Sequence, residues 1–216
     1  FLSLGPDMTR RLVSAGCPSD RIRIQPLSID LDAFAPKEKP EKAGGAPTLL
    51  FCGRLIEKKG IRDLIDGYEI LIKTHPTARL IIIGEGPLQT WCEHRAYHTK
   101  GTIEVLGRQS HEIVRDHMRN TDIFVLPSCV STDGDMEGTP TVLLEAQAME
   151  IPVVSTRHAD IPTIVEDGVT GLLVDEHAPQ EFADALSALT GNSTLASQMG
   201  KAGRIRVQGE HDIRQN

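Results

Sequence analysis

The sequence predicts an α/β protein built on a Rossmann-like, doubly wound parallel sheet. Six short, mostly apolar runs recur between residues 48 and 174, and stretches with helical spacing separate them. Continuous apolar runs are typical of strands covered on both faces, and their alternation with helices implies right-handed crossovers between parallel strands. The predicted strands are Thr48–Gly53, Arg79–Gly84, Ile103–Gly107, Asp122–Pro127, Ile151–Thr156 and Gly171–Val174.

Helical stretches follow these strands, and further elements precede the first one. Leu4–Gly16 has helical spacing with Gly16 as its stop, and Arg21–Leu27 alternates as a short strand does. Lys37–Pro47 is rich in Lys, Glu, Pro and Gly, which predicts an exposed linker. The predicted helices beyond the first strand are Ile61–Thr74, Leu88–His98, His111–Asn120, Thr141–Glu150, Ile161–Asp167, Pro179–Thr190 and Thr194–Gln208.

The composition narrows the function classes. A net charge of -7 argues against a general affinity for nucleic acid or anionic lipid. No apolar run approaches the ~20 residues that a membrane-spanning helix needs. The four cysteines form no C-x-x-C pair, which disfavours zinc and disulfide frameworks and fits a reducing cytosol. Cys52 and Cys129 lie in apolar runs and are interpreted as small core residues.

Ligands of such sheets bind beyond the carboxyl ends of the strands, so the residues that follow each strand are the informative ones. The first strand is followed by Gly53–Gly60. Gly53 allows close approach of the backbone, Arg54 offers a planar fork and Lys59 a point charge, which are complementary ways to hold phosphate oxygens. An ordinary solvated basic loop is the alternative at this position.

The strongest signal is the segment Glu137–Glu145, which follows the fourth strand. Thr139 and Pro140 predict a cap and a first turn, so that the amides of Thr141 and Val142 point out of a helix N-terminus. Such a terminus is a ready anion site for a pyrophosphate.

Two carboxylates flank this predicted anion site. Glu145 lies a little over one turn inside the helix and, if it faces the cleft, can accept hydrogen bonds from two ribose hydroxyls. Glu137 precedes the helix and can hold a sugar hydroxyl at the other end of a diphosphate. Glu145 as a helix-surface charge is the alternative, and the apolar stretch Val142–Ala148 disfavours it.

Two other strand ends carry weaker signals. In Gly107–Ser110, the backbone or the Gln109 side chain can meet a nucleobase, or Ser110 simply caps the next helix. Gly84–Pro87 lacks the third glycine of a dinucleotide fingerprint, which favours a plain strand-to-helix turn and counts against a dehydrogenase.

Two pairs of residues have spacings that metal ions can use. Asp133 and Asp135 form an Asp-x-Asp whose oxygens suit a hard cation, but a solvated acidic loop is favoured because basic residues already face the phosphate position. His94 and His98 have the i, i+4 spacing of some zinc ligands, yet no third ligand is in register, which favours an exposed pair.

Gly53–Gly60 and Glu137–Glu145 together resemble the two hallmarks of retaining GT-B glycosyltransferases of family four. The second segment matches that family's pattern of two glutamates separated by seven residues. Ser131–Met136 is similar to the bacterial exopolysaccharide branch of the colanic-acid type, and Asp30–Pro36 resembles the entry to the family's C-terminal domain. The resemblance covers roughly Arg21–Thr190.

The resemblance implies a role for each matching position. The donor diphosphate is expected at Gly53, Arg54, Lys59, Thr141 and Val142. Glu145 is expected at the ribose, Gln109 and Ser110 at the base, Gly138, Thr139 and Pro140 in the sugar loop, and Glu137 at the anomeric centre as the catalytic residue. No cofactor and no metal are expected. Leu27–Asp30 replaces the usual Asn-Gly-Val-Asp, and Thr139-Pro140 replaces Phe-Gly, which bears on the identity of the sugar.

The resemblance also implies a division of the chain, which opens at Phe1 and is therefore expected to be part of a longer protein. Residues 1–36 are expected to be the junction from a missing N-terminal acceptor domain, residues 37–190 a nucleotide-sugar-binding domain, and residues 191–216 a helix that crosses back. The expected partners are a nucleoside-diphosphate sugar and a saccharide or lipid-linked acceptor, without nucleic acid. The expected location is the cytoplasm, with peripheral contact at the inner face of the membrane through the missing domain.

Three function classes are compatible with these residues. The favoured one is metal-independent sugar transfer with retention, of which this chain supplies the donor-binding half. The second is a sugar-nucleotide epimerase of the same architecture, whose site needs further acid–base groups. The third is a non-catalytic nucleotide-sugar binding module.

Overall fold

The computed structural model describes residues 1–36 and 45–215, so most of the predicted linker at 37–47 lies outside the described residues. The strands are β1 (Leu2–Ser3), β2 (Arg23–Ile24), β3 (Thr48–Cys52), β4 (Arg79–Ile83), β5 (Thr102–Val105), β6 (Ile123–Leu126), β7 (Val153–Thr156) and β8 (Gly171–Val174). The helices are α1 (Pro6–Ser14), α2 (Ile61–Leu71), α3 (Gln89–His98), α4 (His111–Arg119), α5 (Thr141–Ala148), α6 (Ile161–Ile164), α7 (Pro179–Thr190) and α8 (Ser193–Glu210).

The main sheet has six parallel strands in the order β5-β4-β3-β6-β7-β8. The chain therefore builds outward from β3 in one direction, returns to its other side at β6, and builds outward again. This is a doubly wound sheet with its switch point between β3 and β6, where such folds open a crevice for ligands. The predicted fold class is confirmed.

The six predicted strands are confirmed within one or two residues, and the apolar runs of the four inner strands are buried on both faces. In β3, for example, the successive residues Leu49, Leu50 and Phe51 are all inaccessible to solvent. Alternating residues of a strand point to opposite faces, so this burial requires helices on both sides of the sheet. Within the described part of the chain, no helix combines the length and apolarity that crossing a bilayer requires.

The N-terminal segment packs against the rest of the chain through polar contacts. The Asp160 carboxylate accepts hydrogen bonds from the backbone N–H groups of Asp7 at 2.7 Å and Met8 at 3.1 Å, and so caps the predicted helix α1 from a distant loop. The predicted strand Arg21–Leu27 is longer than the observed one, because β2 pairs only with the two-residue β1.

The C-terminal end of the chain returns to the N-terminal segment. Beyond α8, the carbonyl of His211 accepts a hydrogen bond from the N–H of Ile29 at 2.9 Å. The His211 Nδ1 atom lies 2.7 Å from the carbonyl oxygen of Leu27, to which it donates. The last helix therefore ends against the segment that precedes β3.

One glycine holds the two central strand ends together. Gly60 has φ +65°, and a Cβ atom at this position would lie 1.6 Å from the carbonyl oxygen of Pro127. A side chain is excluded both by this backbone contact and by the left-handed conformation. Gly60 thereby fixes the loop after β3 directly against the segment that follows β6.

Candidate functional site

The loops after β3 and β6 meet through a cluster of opposite charges. Lys59 forms a short ion pair with Glu137. Lys58 also faces Glu137, with Nζ 3.9 Å from Oε1, and donates to Asp135 Oδ1 at 3.0 Å. The side chains of Lys59 and Glu137 are only 14% and 10% exposed, so both charges are largely removed from water and depend on each other. Residues 78 apart in sequence thus meet at the predicted crevice.

Arg54 and Gly53 lie at the open side of this loop. Arg54 is exposed, and its guanidinium makes no hydrogen bond or ion pair within the described residues. The Gly53 amide donates to the carbonyl of Ile83 at 3.0 Å, so it is committed to the sheet. A Cβ atom on Gly53 would lie 3.7 Å from Lys59 Cε, which shows that the lysine stem runs beside it. Gly53 therefore leaves space beside the Lys59 side chain, and Arg54 provides a cation that a ligand can reach.

Helix α5 opens into the same crevice without a side-chain cap. Pro140 is the N-cap residue and Thr141 the first helical residue. The prediction that Thr139 helps to cap the helix is wrong, because the Thr139 hydroxyl is buried and makes no hydrogen bond to any described residue. A proline at the N-cap has no side-chain acceptor to offer, so the first amides of the helix, at Thr141 and Val142, are left for another acceptor.

Glu145 is half-buried, and its carboxylate makes no hydrogen bond or ion pair within the described residues. Burial raises its pKa, and the nearby His111 and Arg115 lower it by a smaller amount. Burial, and next the charge of Glu145, raise the pKa of the Cys52 thiol to about 11. Since Cys52 is the last residue of β3, Glu145 lies at the end of that strand, on the crevice side of α5.

The predicted base-binding residues are engaged locally. The Gln109 side-chain amide donates to the carbonyl of Leu106 at 2.6 Å. The Ser110 hydroxyl accepts from the N–H of Ile113 at 3.3 Å, which confirms Ser110 as the N-cap of α4. Each side chain thus makes one local hydrogen bond, and the Gln109 Oε1 atom and the Ser110 O–H group remain to meet a ligand.

Two residues that the sequence analysis missed, His158 and Glu176, hold the backbone of Glu137 in place. The backbone N–H of Glu137 donates to His158 Nε2 at 3.0 Å, and His158 is completely buried. Because Nε2 accepts, the ring carries its proton on Nδ1, which donates to Glu176 Oε1 at 2.6 Å. Glu176 Oε2 accepts from the N–H of Val130 at 2.7 Å. This chain of hydrogen bonds holds both ends of the loop between β6 and α5.

The acidic pair Asp133 and Asp135 and the histidine pair His94 and His98 are engaged in local contacts. Asp133 accepts from the Ser131 hydroxyl at 2.5 Å, which is the main cause of its lowered pKa, and from the N–H of Asp135 at 3.1 Å. The rings of His94 and His98 are both exposed, with centroids 4.4 Å apart. Neither pair belongs to a group of three metal-ligating residues in the described part of the chain.

A cleft of about 570 Å³ is lined in part by Thr139 of the predicted sugar loop. The N-terminal segment, Thr163 of α6 and the end of α8 supply the other lining residues. Thr139 therefore contacts the same cleft as residues of the N-terminal segment such as Gly5 and Pro6.

Comparisons with known proteins show the family of the chain. The family model described as glycosyl transferases group 1 matches residues 33–206. The chain is 37% identical over 213 residues to WcaL, a putative colanic acid biosynthesis glycosyltransferase of Escherichia coli (strain K12), covering 95% of this chain and 50% of that protein. It is 31% identical over 202 residues to the amylovoran biosynthesis glycosyltransferase AmsK of Erwinia amylovora, covering 93% and 49%.

A solved structure shares the fold. The chain matches the crystal structure of Anabaena Alr3699/HepE in complex with UDP with a TM-score of 0.85 and 16% identity, covering 99% of this chain and 60% of that one. The chain spans about half the length of the curated relatives it matches.

Proposed function

The chain belongs to the glycosyl transferases group 1 family, and from this premise we propose that it is the donor-binding half of a retaining glycosyltransferase. In this proposal the chain binds a nucleoside-diphosphate sugar by itself. Transfer to a saccharide or lipid-linked acceptor requires the remaining half of the protein. The relatives named for colanic acid and amylovoran biosynthesis favour an exopolysaccharide as the product.

The observation that carries the proposal is the set of unsatisfied groups around one crevice. A half-buried carboxylate at Glu145, an uncapped helix at Thr141 and an unpaired guanidinium at Arg54 border the ends of β3 and β6. An unpaired buried carboxylate is costly, and it is retained where a ligand completes its hydrogen bonds. A nucleoside diphosphate offers what these groups lack: ribose hydroxyls that donate and phosphate oxygens that accept.

The proposed roles follow from what each group can donate or accept. Glu145 accepts from the two ribose hydroxyls, and the amides of Thr141 and Val142 bind the diphosphate at the positive end of α5. Arg54 and Lys59 add positive charge to the same phosphates. The loop around Gly107 faces the base through its backbone.

Glu137 exchanges one partner for another when the donor binds. In the free protein it neutralises Lys59. When a diphosphate binds, Lys59 turns toward the phosphates, and the Glu137 carboxylate is released to accept a hydroxyl of the transferred sugar near the anomeric carbon. Gly138 leaves space there, since a Cβ atom on it would meet nothing within 4 Å. Positive charge at the phosphates comes from lysine and arginine, so no metal ion is assigned to the leaving group.

The test is a binding panel on this chain. UDP-, GDP- and ADP-sugars are added separately, and stabilisation is followed by thermal shift and calorimetry, because a ligand that binds only the folded state raises the melting temperature by mass action. One nucleotide class should stabilise the chain with saturable binding, and the free diphosphate should bind better than the monophosphate. Absence of binding by all three classes would overturn the proposal.

A further inference from the structure

A second group of ligating side chains lies outside the crevice. Asp63 of α2, Cys129 after β6 and His177 before α7 each offer one ligand atom, and these atoms all lie within 4.8 Å of one another. Asp63 Oδ2 and His177 Nδ1 are 3.0 Å apart. Because the three residues come from three separate elements, only the fold brings them together, and no local sequence pattern indicates the group.

The surroundings of Cys129 are negatively charged. Burial raises the pKa of the Cys129 thiol to about 11, and the nearby charges of Asp63, Glu176 and Glu57 raise it further. The thiol is buried, with Cys129 only 3% exposed, whereas the His177 side chain is 61% exposed. A cation can therefore enter from the His177 side and meet a carboxylate, an imidazole and a sulfur in an environment of negative charge.

We propose that Asp63, Cys129 and His177 bind a divalent transition-metal ion of the zinc class. Sulfur, imidazole and carboxylate are ligands that zinc uses together, at about 2.0–2.3 Å, whereas Mg²⁺ and Ca²⁺ prefer oxygen ligands alone. On binding, the Cys129 thiol releases its proton to solvent and forms a metal–sulfur bond. The hydrogen bond between Asp63 and His177 is replaced by two bonds to the ion. His177 gives up its Nδ1 proton to solvent and, as the neutral ring, carries its proton on Nε2, which leaves the Nδ1 lone pair for the ion. Solvent occupies the fourth position on the exposed side.

The position of this site suggests a structural role. The Cys129 N–H donates to the carbonyl of Lys58 at 3.0 Å, and its Sγ–H donates to the carbonyl of Glu57 at 3.4 Å. An ion at Cys129 lies directly beneath the short 3-10 helix Glu57–Lys59 and ties it to α2 and to the loop before α7. The ion acts as a brace, and it is independent of the donor-binding proposal.

The test uses Zn²⁺ and Co²⁺ alone with this chain, in the presence of a non-coordinating phosphine reductant. We expect Zn²⁺ to raise the melting temperature with increasing concentration. Co²⁺ should give the near-ultraviolet charge-transfer absorption of a cobalt–thiolate bond. Cys129→Ser should abolish this absorption. Cys92→Ser, which alters another buried thiol, should retain it.

A second variant keeps the test independent of folding defects at the buried cysteine. His177 has φ 55°, a conformation that asparagine tolerates, so His177→Asn removes the imidazole on an exposed loop without backbone strain. Since the loss of even an outer-shell partner costs about 10–100-fold in metal affinity, we expect this variant to bind Zn²⁺ at least ~10-fold more weakly.

The exposed pair His94 and His98 provides the matched control. If the double variant His94→Ala/His98→Ala binds Zn²⁺ as the parent does, the ion is not held by that pair. If instead this variant alone loses binding, or if Co²⁺ gives no thiolate absorption, the result is an adventitious ion only and the proposal is overturned. Neither result depends on whether the chain binds a nucleotide sugar.

Discussion

At the scale of single residues, Glu145 carries the most specific expectation. Its carboxylate has no hydrogen-bonding partner in the described residues, so a ribose would satisfy a group that is otherwise unsatisfied. We expect Glu145→Ala to weaken binding of the preferred nucleotide by about 1.5–3 kcal/mol, the range for hydrogen bonds to a charged group. Calorimetry measures this change. Glu112→Ala, which removes an exposed glutamate of α4, is the control and should leave affinity unaltered.

The same residue gives a prediction on stability. Because burial raises the pKa of Glu145 in the folded protein, the folded state holds this proton more tightly than the unfolded state does. The stability that this provides is present at acid pH and is lost as pH rises from the ordinary glutamate range through the raised value. Glu145→Gln should therefore gain stability relative to the parent as pH increases toward neutrality. Urea unfolding at several pH values tests this, and a parallel pH dependence in both proteins would contradict it.

Arg54 should act through charge and not through packing, since its side chain is exposed and unpaired in the described structure. Removing a cation that faces a diphosphate lowers both the affinity and its sensitivity to salt. We expect Arg54→Ala to flatten the dependence of log affinity on log salt concentration. The matched control is Arg23→Ala, an exposed arginine on β2. An unaltered salt slope in Arg54→Ala would remove this residue from the phosphate site.

At the scale of elements, the loop between β6 and α5 depends on His158. The His158 ring accepts the Glu137 N–H and donates to Glu176, so it fixes where the loop places the Glu137 carboxylate. His158→Phe keeps a ring at this position but leaves the Glu137 N–H and the Glu176 Oε1 atom without their hydrogen-bonding partner. We expect this change to lower the free energy of unfolding by about 1–3 kcal/mol.

The ligand readout separates positioning from simple destabilisation. Affinity for the nucleotide sugar should fall relative to affinity for the nucleotide alone, because only the sugar reaches Glu137 in the proposed arrangement. His158→Gln places an acceptor near the Nε2 position and should recover part of this ratio. If both variants lower the two affinities equally, His158 supports the fold and does not position Glu137.

Elements with strong local patterns were predictable, and single hydrogen bonds between distant side chains were not. The apolar runs predicted β3 to β8 because continuous burial leaves a direct trace in sequence. The Ser110 cap was predictable because it is a local contact, with its partner three residues away. The N-cap of α5 was predicted wrongly as Thr139: the N-cap residue is Pro140, and the Thr139 hydroxyl is buried without a partner among the described residues. The two-residue β1 has no pattern of its own.

At the scale of the whole molecule, the position of the site followed from topology. Loops at the carboxyl ends of parallel strands meet at one edge, so the meeting of Lys59 and Glu137 was expected although 78 residues separate them. His158 and Glu176 could not be found in this way. Each is a single polar residue whose hydrogen-bonding partners are distant in sequence. No local pattern indicates that a histidine will be buried.

The organisation of the whole chain gives the last prediction. Thr139 of the sugar loop lines a cleft together with the N-terminal segment, Thr163 and the end of α8. His211, at the end of α8, hydrogen-bonds to Leu27 and Ile29 in the segment that precedes β3. If the proposed acceptor domain precedes this chain, an acceptor that enters the cleft would arrive beside Thr139 of the sugar loop. This chain alone should bind the donor but transfer no sugar.

Joining the chain to the rest of its protein should restore transfer, and nuclear magnetic resonance of the product should show the anomeric configuration of the donor preserved. Glu137→Gln in the joined protein should reduce turnover far more than donor affinity, because it removes the group nearest the anomeric carbon in the proposed geometry while the phosphate and ribose contacts remain. Inverted configuration would contradict the retaining mechanism. Conversion of the free nucleotide sugar to its epimer, without transfer, would favour an epimerase, whereas binding without any turnover of the joined protein would favour a non-catalytic module.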